Sequence, residues 1–91
     1  MKLIDICIEA FKRSNSYGEK PTGVIREITF IKPLKQYMVS IELENNSSTD
    51  IDIVELCGDD YYRVHSGKSA FLTKKTATLQ KELSKAIEVE I

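Results

Sequence analysis

The densest run of chemically capable side chains is His65-Ser66-Gly67-Lys68-Ser69. It follows a strand-like segment and precedes a helix-like one, as a phosphate-binding loop does. Such a loop cradles phosphate with backbone N–H groups and needs a first glycine five positions before the second. That position is Tyr62, so the pattern is incomplete, and Gly67 is expected to turn the chain. Asp50-x-Asp52 and Asp59-Asp60 carry oxygen donors of the kind that hold Ca²⁺ or Mg²⁺. Neither pair sits in a loop of spaced acids around a central glycine. Aspartate beside a turn commonly bonds nearby backbone instead.

His65 is the one histidine. Nucleophilic catalysis needs a thiol or hydroxyl beside it and a third group to orient the ring. Cys57 would lie at the far end of the hairpin that carries His65. Zinc would need more ligands at closer spacing. The expectation is no enzymatic activity, no cofactor and no metal.

Composition narrows the class. A chain of 91 residues is read as one domain over residues 1–91, burying roughly 60–65% of its unfolded surface. Cys7 and Cys57 are too few for a disulfide framework and suit a reducing interior. Asp5 and Glu9 interrupt the N-terminal apolar run that a signal peptide would need. No stretch approaches the about 18 apolar residues of a membrane span. A cytoplasmic location without membrane attachment is expected.

Net charge is −1, which argues against general binding to phosphate backbones. The total conceals a pattern, because residues 36–62 hold seven acids and no Lys or Arg. The acids are Glu42, Glu44, Asp50, Asp52, Glu55, Asp59 and Asp60, with the compensating bases in the flanks.

The elements that position these residues follow from periodicity. Leu3, Ile4, Cys7, Ile8 and Phe11 form an amphipathic stripe, which predicts an N-terminal helix. Residues 14–23 read as a turn-rich loop. Strands are expected over 24–31, 37–44, 51–57 and 61–65. Lys32-Pro33-Leu34-Lys35 fits a β-turn, which would set Phe30 opposite Tyr37, Ile28 opposite Val39 and Val24 opposite Leu43. Arg26 is expected at the rim.

For the second hairpin, Cys57 opposite Tyr61 would pair Glu55 with Arg63 and turn Val54, Leu56, Tyr62 and Val64 to the core. Turning the opposite face to the core would bury Glu55 and Arg63. A C-terminal helix is expected over 74–88, capped by Ser69, Thr73 or Thr76, with Phe71 at its entry. The tail 88–91 alternates and could add a short strand. The fold class is then α+β: a four-stranded antiparallel meander flanked by an N-terminal and a C-terminal helix. Its core would include Ile28, Val39, Ile41, Val54, Leu56, Val64, Leu79 and Leu83.

In that register the second face of the sheet presents Ile25, Met38, Ile53, Tyr61 and Arg63 among other charges. Apolar anchors among charges are the makeup of a protein interface. Either a helix covers this face or a partner does, a homodimer being the simplest closed arrangement. The functional expectation is a small intracellular protein that binds and inhibits or regulates a larger one. Glu42, Glu44, Asp50, Asp52, Asp59 and Asp60 would offer an acidic surface to a basic partner. The alternative is a nucleic-acid-binding module using Lys12, Arg13, Lys74, Lys75, Lys81 and Lys85.

Overall fold

The computed structural model describes residues 1–14, 18–56 and 60–90. It is an α+β fold. In chain order it has helix α1 (Leu3–Ser14), β1 (Pro21–Ile31), a 3₁₀ turn (Lys32–Leu34), β2 (Gln36–Leu43), β3 (Ser48–Glu55) and β4 (Tyr61–Ser66). Then come β5 (Ser69–Lys74), α2 (Ala77–Leu83) and β6 (Ile87–Val89). The strands form one sheet in the order β5-β4-β3-β2-β1-β6. Among the described residues only β6 is parallel to its neighbour, β1. The sheet thus has six strands rather than the four expected, and it is mixed rather than purely antiparallel.

Helix α1 buries Leu3, Ile6, Cys7, Ala10 and Phe11. The stripe is rotated from the expected one, because Ile6 and Ala10 point inward while Ile4 and Ile8 are half-buried at its margins. Glu82 of α2 accepts a hydrogen bond from the Leu3 backbone N–H at 2.6 Å. A carboxylate there complements the positive end of the α1 dipole and satisfies one of its unpaired donors.

The first hairpin has its expected register at the turn: Phe30 faces Tyr37 and Ile28 faces Val39. Lys35 takes a left-handed conformation, φ 50, and its N–H bonds the Lys32 carbonyl at 3.2 Å. Further back the register shifts twice, so Ile25 faces Ile41 and Pro21, not Val24, faces Leu43. An extra residue in a strand resets side-chain alternation. That is how Ile25 and Ile28, an odd number apart, both pack against the core. Val24 is left exposed. Arg26 sits at the rim, donating to the Asn46 carbonyl at 3.1 Å.

The second hairpin is slipped by one residue from the expected register. Val54 faces Arg63, Ile53 faces Val64 and Glu55 faces Tyr62. The whole strand turns over, as a one-residue shift requires. Ile51 and Ile53 are buried, while Val54 and Leu56 leave the predicted core set and are only half-buried. The slip separates Glu55 and Arg63 onto opposite faces, and neither is buried. Glu55 ends its strand at the rim, where its carboxylate meets Lys75 Nζ at 3.0 Å.

Residues 69–74 continue the sheet instead of leading into a helix. Gly67, φ +57, closes a two-residue turn, and Ser69 pairs with Ser66. The helix is confined to Ala77–Leu83, with the Thr76 hydroxyl accepting from the Leu79 N–H at 3.2 Å. Among the expected core, Val39, Ile41, Val64, Leu79 and Leu83 are buried and Ile28 is half-buried.

Candidate binding surface

Cross-strand partners share a sheet face, so the register sorts every strand residue. Ile25, Ile28, Tyr37, Val39, Ile41, Ile51, Ile53, Tyr62, Val64 and Phe71 lie on the face that α1 and α2 cover, all in one cluster with the helix residues. Ile25 and Ile53 are therefore core residues and not part of an exposed face. No described helix packs on the opposite face.

That open face spans about 24 Å across six strands at a spacing of about 4.8 Å. An apolar stripe crosses it near the end of the sheet that carries the 3₁₀ turn. Ile87 and Val89 lie alongside Thr29 and Ile31. Gln36 follows on β2, then Val54 opposite Arg63, and Arg63 opposite Leu72. Tyr61, Leu72, Ile87 and Val89 are four of the large hydrophobics most exposed to solvent. An open depression of about 420 Å³ beside β5 is lined by Leu56, Arg63, Ala70, Phe71 and Leu72.

A band of carboxylates lies along the stripe toward the other end. Glu27 and Asp50 both face Ser40, Asp52 faces Met38 and His65, and Glu42 faces Ser48. Among the described residues no acid stands directly opposite another acid, which removes the strongest repulsion the composition suggested. Arg26 is the cation nearest Glu42, at 3.7 Å. Glu44 is exposed beyond β2 at the acidic end. Asp60 belongs to the opposite end, where its carbonyl accepts from the Lys75 N–H at 2.7 Å. The acidic run in the sequence is thus divided in space, and Glu27, outside that run, joins the band. Asp59 and Cys57 lie outside the described residues.

His65-Ser66-Gly67-Lys68-Ser69 forms the β4–β5 hairpin, with a strand and not a helix after it. The Ser66 hydroxyl is buried and shares a 2.8 Å hydrogen bond with the Ser14 hydroxyl at the end of α1. Among the described residues no group of three or more His, Cys, Asp or Glu could hold a metal ion. Nor is any helix among them long and apolar enough to cross a membrane. Burial and the Glu82 carboxylate push the Cys7 thiol up to about 12, so it stays protonated and unreactive.

The proposed basic flanks are scattered. Arg13 pairs with Glu9 at 2.9 Å and stacks 4.3 Å over Phe71, and Lys75 is taken up by Glu55. Lys12, Lys74, Lys81 and Lys85 are exposed. Comparison with known protein families, curated proteins and solved structures finds no match to this chain.

Proposed function

We propose that this chain is a non-enzymatic, cytoplasmic interaction protein that docks on a larger protein and regulates or inhibits it. The contact surface is the open sheet face. The observation that carries this reading is the pairing of a partly exposed apolar stripe, with Tyr61, Leu72, Ile87 and Val89 open to solvent, with a carboxylate band on a face without a described helix. Monomeric proteins seldom leave apolar patches beyond a few hundred Å² bare unless something binds there. Val54, Tyr61, Leu72, Ile87 and Val89 supply the anchors. Glu27, Asp50 and Asp52 meet a basic surface on the partner. Apolar anchors hold such a complex, while complementary charge chiefly speeds encounter and excludes wrong partners. The nucleic-acid alternative has less support, since Arg13 and Lys75 are committed to internal partners.

A photo-crosslinker at Met38 in the source cell identifies the partner, and one at Lys12 on α1 is the control. With the partner in hand, the triple change Glu27→Gln, Asp50→Asn and Asp52→Asn should slow association about tenfold at low salt and change dissociation little. An unchanged association rate, or crosslinking only from Lys12, sinks the reading.

A further inference from the structure

We propose that the outer edge of β5 is a second binding site, which takes an extended acidic segment of a protein partner as an added strand. Ser66 and Ser69 close the two-residue turn at Gly67, and the closing pair of such a hairpin exchanges both backbone hydrogen bonds. Ser69, Phe71 and Thr73 therefore direct their backbone groups to β4, and Ala70, Leu72 and Lys74 direct theirs outward. The flanking bonds agree with this phase. The Lys75 N–H bonds back to Asp60, and the Lys74 carbonyl accepts outside the sheet from the Thr76 N–H at 2.9 Å. The N–H and C=O of Ala70 and Leu72 meet no partner among the described residues.

Proteins usually blunt a free edge with proline, bulges or a short terminal strand. The opposite edge of this sheet has all three: Pro21, two register shifts in β1 and the three-residue β6. The β5 edge has none of these three, only the lysines Lys68 and Lys74 that an acidic segment would neutralise, and all six of its residues stay in register with β4. It is a template for strand addition, in which main-chain bonds supply affinity and side-chain pockets supply specificity.

Charge selects the occupant. Arg63, Lys68 and Lys74 surround this edge, and none has an ion-pair partner among the described residues. Asp60 stands at the strand end, and Glu9 is already taken up by Arg13. Leu72 is 56% exposed and borders the depression that Leu56 and Ala70 help to line. Side chains of an added strand alternate between faces. Arg63, Leu72 and Lys74 share the open face, and Phe71 lies on the face under α1, so an alternating segment sets its acidic side chains on the open face near the two bases and its apolar ones beside Phe71. This site shares Leu72 with the apolar stripe of the open face, but it does not use the acidic band, and the peptide test reads the edge alone.

The test is fluorescence polarisation of the full chain with a labelled peptide alternating glutamate and valine, against a counterpart with lysine for glutamate. The glutamate peptide should bind at least about tenfold tighter and weaken as salt rises. Leu72→Pro removes an outward N–H without taking a ladder bond from β4, and should abolish binding with the circular dichroism unchanged. Should that variant fail to fold, the pair Arg63→Glu and Lys74→Glu decides, because preference must then pass to the lysine peptide. Equal binding of the two peptides, binding of neither, or undiminished binding by folded Leu72→Pro overturns the proposal. So does a wild-type dimer in sedimentation that Leu72→Pro dissociates, which gives the edge to a second copy.

Discussion

Tyr62 is 4% exposed beneath the Lys75 ammonium, which lies 5.5 Å from the ring centroid. Burial first, then Tyr37 and the Glu55 carboxylate, push its hydroxyl from 10.0 up to about 12. The folded state thus holds this proton more tightly than the unfolded chain. The stabilisation is complete below pH 10 and is lost as pH rises from 10 to about 12. Cys7 and Tyr37 are raised as well and act in the same direction. Denaturant titrations from neutral pH upward should show stability falling above about pH 9–10, and Tyr62→Phe should make that fall shallower. A fall equally steep in the variant would assign the alkaline loss to other groups. Gly67 makes a separate residue-scale claim. Its φ is +57, and an added Cβ would stand 3.3 Å from Ser14 Cβ. Gly67→Ala should cost about 1–2 kcal/mol by chemical denaturation. A cost near zero would mean that the turn relaxes freely.

At the scale of elements, strand three is the instructive case. Ile51, Ile53, Val54 and Leu56 put apolar side chains on both faces of one strand, so alternation alone cannot choose its orientation. Choosing the facing from Glu55 and Arg63 treats both as mid-strand residues. Glu55 escapes burial by ending the strand beside Lys75, a partner 20 residues away that pairing rules within one hairpin do not reveal. Ile53→Ala should therefore cost about 2–5 kcal/mol, while Val54→Ala should cost much less. The reverse order would restore the register expected from the sequence, with Cys57 opposite Tyr61. The first hairpin was legible because Pro33 fixes its turn and Phe30, Ile28, Tyr37 and Val39 agree on one face. Residues 69–74 are not legible as a strand, because Phe71 and Leu72 fit a helix entry equally well. Gly67 was rightly read as a turn, but a turn between strands looks in sequence like a turn before a helix. Of the five residues expected on that sheet face, three, Met38, Tyr61 and Arg63, lie on the open side, and Ile25 and Ile53 lie in the core.

For the whole molecule, the helices and the terminal strand tie the two ends of the chain together. Leu3 meets Glu82 across 79 positions, and β6 docks on β1. The strands from β1 to β5 each pair with the next along the chain. Contacts between sequence neighbours form early, because closing a long loop costs entropy before its contacts are gained. The hairpins should therefore be ordered in the folding transition state while α2 is still undocked. Leu83, 1% exposed in the shared core, reports on that last step. Leu83→Ala should destabilise by about 2–5 kcal/mol. Stopped-flow kinetics should show nearly all of that loss as faster unfolding, with refolding little slowed. A refolding rate that falls in step with stability would place α2 in the nucleus instead. If unfolding carries the loss, the native lifetime of this protein is governed by how tightly its last helix stays down.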